Sequence, residues 1–472
     1  MTTTTPDEPT RLRRGVTGPL LLVFVLGDVL GAGVYALVGV IGAQVGGAVW
    51  LPLLLALGMA LLTAASYAEL VTKYPRAGGA AVFAQRAFGR PAVSFVVGWS
   101  MLAAGVTSAA GLAVAFGGDY LAPFLDAPPV LVAVLFLLVV ALVNARGIKE
   151  SLGANVAMTV VEVGGLVLVV VLGAVVLGRG DGDLGRALEL RPDVSPWAAV
   201  LGAALVAFYS FVGFETSANL AEEVKDVRRV YPRALFGSLL VAGVVYLLVA
   251  VSAVAVLPPD ELGETTGPLL AVVERADAGV PSWLFAAVAL VAVANGALLT
   301  MIMASRLTYG MAQEGLLPAV LGRTLPGRRT PWVAIVVTTA AAVVLTLVGS
   351  LETLASTVVL LLLVVFVSTN LAVLVLRRDA VPHEHFRAPT ALPVLALVSC
   401  AVLLTQQPAQ NWLIGGALVA LGVVVHLLTR SRSGRSAPSR ASWAPTRRAR
   451  RTARPQGGRM APAPSPAVRT AP

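Results

Sequence analysis

Three carboxylates stand inside long apolar runs of the chain: Asp28, Glu162 and Glu215. A charged side chain in hydrocarbon is rare and costly, so each is a functional candidate. No Lys, Arg or His lies at comparable depth in these runs. Burial disfavours charge on an unpartnered carboxyl, which makes each a candidate proton carrier or a ligand for a cationic group. Glu162 lies about ten residues into its run; at about 1.5 Å per residue this is roughly 15 Å, close to the middle of a bilayer core about 30 Å thick. The other two adjoin interruptions in the apolar pattern, where Asp28 could instead bond freed backbone and Glu215 could cap a following half-helix. Glu69, at the inner end of the second apolar run, is expected to be an interfacial salt-bridge partner. Phe208, Tyr209 and Phe211 could wall a pocket or serve only in packing.

The interruptions read Leu26-Gly27-Asp28-Val29-Leu30-Gly31-Ala32-Gly33-Val34-Tyr35 and Phe208-Tyr209-Ser210-Phe211-Val212-Gly213-Phe214-Glu215-Thr216. Glycine is a poor helix former and leaves its backbone uncovered. Within a bilayer such backbone must be buried in protein or line a wet cavity. A single cluster could reflect close packing through Gly27-xxx-Gly31. Two breaks, in the first and sixth runs, occupy equivalent positions if runs one to five and six to ten are repeats. Paired broken helices point to a transporter site. Half-helix N-termini suit a carboxylate, whereas unwound carbonyls suit an ammonium or a metal cation.

The elements that must position these residues are long apolar helices. Of 472 residues, 57% are hydrophobic and 13% charged, and mean hydropathy is +0.84. Soluble domains carry about 25% charged residues, so a cytosolic enzyme, a secreted domain and a disordered scaffold are excluded. Twelve apolar runs are long enough to span a bilayer, at about 17–41, 46–70, 92–118, 128–146, 153–177, 196–220, 234–257, 282–306, 331–349, 352–376, 390–405 and 410–429. They are too long, and too evenly apolar, for transmembrane β-strands. The first follows Arg11, Arg13 and Arg14 but exceeds the 7–15 residues of a signal-peptide core, and is expected to be a retained span.

Charge placement predicts orientation. With the N-terminus inside, 31 of the 35 Lys and Arg fall on the cytoplasmic side; Arg179, Arg186, Arg191 and Arg275 fall outside. This basic-inside bias puts both termini in the cytoplasm. The chain then divides into an N-terminal tail (1–16), a transmembrane transporter domain (17–429) and a basic, disordered cytoplasmic tail (430–472). That tail holds eleven Arg and no acid. It therefore supplies the formal charge of +10, and it could either pair with anionic lipid or serve only as a topology signal. Nucleic acid is not an expected partner. The outer loops are acidic, as ordinary solvated charge or as a vestibule that concentrates cations.

No Walker A, Gly-x-Ser-x-Gly, His-Glu-x-x-His or Cys-x-x-Cys motif occurs. Cys400 is the sole cysteine, and His383, His385 and His426 lack zinc-site spacing. No catalytic residue, metal or cofactor is expected, and any uphill movement must draw on an ion gradient or on exchange.

Taken together, Gly27-x-x-x-Gly31-Ala32-Gly33-Val34-Tyr35, Ala68-Glu69-Leu70 with Tyr74-Pro75-Arg76-Ala77-Gly78-Gly79, Gly213-Phe214-Glu215 with Ala221-Glu222-Glu223-Val224-Lys225 and Tyr231-Pro232-Arg233, and Ser305-Arg306 with Gly315-Leu316-Leu317-Pro318 resemble signatures of the amino acid–polyamine–organocation (APC) superfamily over about residues 17–430. The resemblance implies an all-α, twelve-helix, LeuT-type fold, a five-plus-five inverted repeat with two further helices. It also implies alternating-access transport of amino acids or related amines. Amides of Gly31, Ala32 and Gly33 would hold a substrate carboxylate. Carbonyls near Val29 and Leu30, and those from Tyr209 through Ser210 and Phe211 to Val212, would accept from its ammonium, with Tyr209 as an occluding aromatic. Some proton-coupled relatives carry a Lys in span five. Counting from Asn155, this chain has Glu162 there, which reverses the charge. Near Gly315, Ala312-Gln313-Glu314-Gly315 replaces the frequent Ala-Arg-Asp-Gly.

The expected function is thus a secondary active amino acid or amine permease of the plasma membrane in a bacterium with a GC-rich genome. It would be coupled to protons or another ion, or work by exchange, with Glu162 at the coupling position and Asp28 and Glu215 near the substrate. A cationic amino acid or polyamine exchanger is the alternative, and a non-transporting sensor or subunit a third reading.

Overall fold

The computed structural model describes residues 15–76, 78–146, 151–192, 194–325 and 330–433, with side chains not described at Ala32, 151–154 and 429–433. Sixteen α-helices account for most of this. They are α1 (Gly18–Leu30), α2 (Ala32–Val45), α3 (Trp50–Lys73), α4 (Gly79–Phe88), α5 (Pro91–Phe116), α6 (Pro129–Arg146), α7 (Ser151–Arg179), α8 (Pro196–Tyr209), α9 (Val227–Val256), α10 (Pro259–Gly263), α11 (Pro268–Ala276), α12 (Ser282–Gln313), α13 (Trp332–Val348), α14 (Leu351–Leu376), α15 (Ala391–Thr405) and α16 (Ala409–Ser433). Proline occupies the first turn of α1, α5, α8, α10 and α11, where its missing N–H and fixed φ cost the helix nothing.

Among the described residues nine helices are long and apolar enough to cross a membrane, and α1 with α2 forms a tenth, bent by 41° at its break. The ninth and eleventh runs form shorter apolar helices, α13 with 17 residues and α15 with 15. Ten spans therefore follow from length and composition, and twelve require these two to cross as well. The helix α4, short and of mixed polarity, is absent from the hydropathy pattern. The tails before residue 15 and after residue 433 lie outside the described residues.

The interrupted helices lie at the centre. The first, α1, packs on α7 and α9; α2 packs on α8 and α10; and α8 packs on α3 and α14. The periphery is different in kind. Leu131, Leu135, Leu138, Val139 and Leu142 of α6 and Val336, Val337, Val344 and Leu347 of α13 are exposed, as a lipid-facing surface requires. Central packing is aromatic: Phe366 of α14 stacks on Phe214 at 5.6 Å and meets Phe208 edge-on at 6.0 Å, while Tyr67 of α3 meets both Phe214 and Phe366. Each such pair contributes about 0.5–1.5 kcal/mol beyond area burial. Together they clamp the second break between α3 and α14.

Polar ties close both ends of the bundle. At the end rich in basic residues, Glu69 receives two bonds from Arg377, at 3.0 and 2.8 Å, and one from the Ala388 amide at 2.9 Å. Nearby, Tyr74 donates to Asp379 at 2.7 Å, and Arg86 lies over the Tyr74 ring and reaches the same carboxylate at 3.1 Å. The amides of Gly15 and Val16 both donate to the Glu223 carbonyl at 3.0 Å, so the start of α1 is tied to the segment after the second break. At the opposite end Asp119 accepts from Thr265 and from the Thr266 amide.

Candidate functional site

Both interruptions predicted from glycine content are present. Helix α1 stops at Leu30, Gly31 takes φ −25° and ψ −160°, and α2 begins at Ala32. Helix α8 stops at Tyr209, four residues turn, and a 3-10 segment, Phe214–Leu220, continues the path. Gly213 has φ +123°, a conformation that side chains with a Cβ rarely adopt.

The two breaks touch each other. A Cβ on Gly213 would lie 2.7 Å from the Asp28 carbonyl oxygen, and one on Gly33 would lie 2.7 Å from Ser210 Cα. Glycine at both positions is what lets the backbones meet. On a third side Gly31 faces Gly296 of α12, whose Cα would be 3.9 Å from such a Cβ.

The carboxylates beside the breaks are held by protein groups. Asp28 Oδ2 accepts from the Thr216 hydroxyl, joining the end of α1 to the 3-10 segment. Glu215 Oε2 accepts from the Gly213 amide at 2.9 Å and caps the turn. Glu215 is buried; Asp28 keeps partial exposure. Some of the unwound carbonyls are also engaged: Tyr246 of α9 donates to the Val29 carbonyl at 2.7 Å, and the Val212 amide donates to the Tyr209 carbonyl at 3.1 Å. A carbonyl has two lone pairs, so one such bond leaves capacity for a second. Ser210 Oγ is buried without a hydrogen-bond partner among the described residues.

Glu162 is fully buried on α7. Asn295 of α12 donates to its Oε1 at 3.0 Å, while Oε2 is without a hydrogen-bond partner among the described residues. Tyr35 of α2 donates to the Glu162 backbone carbonyl at 2.8 Å, so the helix after the first break is pinned to the helix that carries this carboxyl. Tyr209 shares a 2.9 Å hydrogen bond with Ser108 of α5. Val29, Leu30, Phe211 and Gly213 are buried within the same junction, and Ala32 contributes its backbone to the first turn of α2.

The structure thus gathers Asp28, Val29, Leu30, Gly31, Gly33, Tyr209, Phe211, Val212, Gly213 and Glu215 at one junction, with Glu162 carried on the neighbouring α7. Sequence reasoning missed Thr216, Asn295, Tyr246 and Ser108. Thr216 was within reach, one residue past Glu215. The others are single polar residues in helices remote in sequence, and nothing local marks them.

The model of the amino acid permease family matches residues 20–425. An uncharacterised transporter of Mycobacterium tuberculosis is 31% identical over 428 residues, covering 90% of this chain and 93% of its own length. The vacuolar cationic amino acid transporter 4 of Arabidopsis thaliana is 29% identical, covering 80% of this chain and 66% of its own. A branched-chain amino acid permease of Bacillus subtilis is 25% identical, covering 80% and 85%. With an all-helical membrane architecture, two broken central helices and a family match across the helical bundle, the chain belongs to the amino acid permease family of the APC superfamily.

Proposed function

We propose that the protein moves amino acids or related amines across the plasma membrane by alternating access, with the substrate held where the two breaks meet. The contact of Gly33 with Ser210 and of Gly213 with Asp28 carries this reading, because it brings a helix N-terminus and two unwound segments to one point. The amides at the start of α2 would take the carboxylate. Carbonyls of Leu30, Phe211 and Val212 would take the ammonium, and Tyr209, tied to Ser108, would close over it. The basic-inside charge pattern supports cytoplasmic termini, and transport without an enzymatic step accounts for the residues at the junction.

Glu162 is the proposed coupling group. It is a buried carboxyl with one oxygen that has no hydrogen-bond partner among the described residues, on a helix bonded to α2 through Tyr35. The experiment is uptake of labelled amino acids into proteoliposomes with an imposed pH gradient. Wild-type protein is expected to accumulate substrate, whereas Glu162→Gln is expected to retain exchange but lose gradient-driven accumulation. Equal accumulation by both would remove the coupling role from Glu162.

A cationic substrate is the second reading, favoured by the names of the Arabidopsis relatives and by the partial exposure of Asp28. Its bond to Thr216 and the capping bond of Glu215 weigh towards a structural role for both carboxylates. Competition among lysine, putrescine and leucine separates the two, and loss of lysine uptake alone in Asp28→Asn is the outcome expected of a cationic site.

A further inference from the structure

A cavity of about 770 Å³ opens beside the first turns of α9, at the end of the bundle rich in basic residues. Three arginines line it, Arg228, Arg229 and Arg233, facing His385 and Phe386 from the segment between α14 and α15. Asp226 and Glu384 also line it, yet among the described residues none of the three guanidiniums forms an ion pair with a carboxylate. All three arginines are exposed. Three unneutralised guanidiniums against two acids make a site for an anion, and guanidinium geometry matches phosphate oxygens.

What lies beyond the cavity identifies the kind of anion. Phe236 and Phe386, rings 6.0 Å apart, form its apolar wall. From Arg229 and Arg233 the same helix face continues at three- and four-residue steps through Phe236, Leu240, Val244 and Leu248, with Val241 alongside. Leu240, Val241, Val244 and Leu248 are all exposed. An exposed aliphatic stripe in a membrane helix faces acyl chains. A phosphate seated among the arginines would therefore stand at the head of an exposed aliphatic stripe suited to its own lipid tails.

We propose that this cavity binds the phosphate of an anionic phospholipid headgroup, with Arg228, Arg229 and Arg233 as its ligands and the acyl chains lying along the exposed face of α9. The adjoining face of α9 packs on α1, where Gly18 meets Val230 and Gly237 meets Leu22. The bound lipid thus abuts the half-helix that leads to the first break. The assignment rests on the membrane reading alone and not on transport, so a failure of transport assays leaves it untouched.

The test is thermal unfolding of the detergent-purified full chain titrated with short-chain phosphatidylglycerol, phosphatidylcholine or glycerol 3-phosphate. Phosphatidylglycerol is expected to raise the melting temperature saturably, and the other two are not. Each Arg→Gln change should weaken the apparent affinity about five-fold, and the three together about a hundred-fold. Should the triple variant fail to fold, Arg228→Gln and Arg233→Gln singly carry the same test. A phosphatidylglycerol response unchanged in these variants would overturn the site. A response to glycerol 3-phosphate equal to that of phosphatidylglycerol would overturn the lipid assignment in favour of a soluble phosphate ester.

Discussion

Asn295 Nδ2 lies 3.0 Å from Glu162 Oε1 and is the side-chain donor that the structure gives this buried carboxyl. The pair joins α12 to α7, 133 residues apart in the chain. Loss of the donor leaves a carboxyl in an apolar setting with neither oxygen satisfied. Asn295→Ala is therefore expected to destabilise the protein by about 1–3 kcal/mol, read as a lower melting temperature in detergent. Asn295→Leu, which removes the donor without adding a titratable group, should alter the pH dependence of uptake, whereas a packing role alone predicts an unaltered profile.

Gly213→Ala should disrupt the junction. The left-handed backbone there costs about 1–3 kcal/mol for a residue with a Cβ, and that Cβ would press on the Asp28 carbonyl at 2.7 Å. Uptake should be lost together with stability. Gly202 of α8 is the control, since nothing lies within 4 Å of its Cβ position. There alanine should be tolerated, or should gain about 0.5–1 kcal/mol from helix propensity. Equal damage at both positions in a melting and uptake comparison would contradict the proposed strain.

Glu69 and Arg377 form a two-point ion pair with side chains 2% and 11% exposed. Breaking a buried pair leaves one charge without compensation, at about 3–5 kcal/mol. Glu69→Leu and Arg377→Met should each lower the melting temperature markedly. The double variant Glu69→Leu with Arg377→Met should recover part of that loss, because no lone charge remains. A double variant that falls by the sum of the two singles would argue against coupling.

Asp379 gives the latch at the basic end a pH dependence. The hydrogen bond from Tyr74 is the main influence that holds its carboxyl below the usual range; partial burial opposes this and Arg86 reinforces it. A carboxyl depressed in the folded state adds stability above its unfolded value and loses it as pH falls through the folded one. Acid should therefore loosen this latch, while neutral and alkaline pH leave it intact. Asp119 behaves alike at the other end: burial raises it, but the bonds from Thr265 and Thr266 prevail and the net shift is downward. Asp379 is partly exposed, so its share is below about 1 kcal/mol. Melting curves of wild type and Asp379→Asn should converge as pH drops below 4.

Much of this architecture is written in local composition. Hydropathy alone locates the long helices, because a bilayer admits only segments that satisfy their own backbone. Both breaks were legible for a similar reason: glycine and a carboxylate in the middle of an apolar run are costly, and only a special site keeps them. The same one-dimensional view failed for α4, too short for an apolar run, and it left α13 and α15 at the margin of spanning length.

Pairings between distant segments lay beyond the sequence, since helix packing sets them and a hydrogen bond across the bundle leaves no periodic trace. Tyr246 meets the Val29 carbonyl 217 residues away, and Ser108 meets Tyr209 across 101. For Asp28 and Glu215 the sequence admitted both a substrate ligand and a backbone cap. Only the fold shows that Thr216 and the Gly213 amide already engage one oxygen of each. Arg228, Arg229 and Arg233 likewise read along the chain as orientation charge. They become a cavity only where the segment around Phe386 folds against α9, a contact between residues about 150 positions apart that packing, not composition, decides.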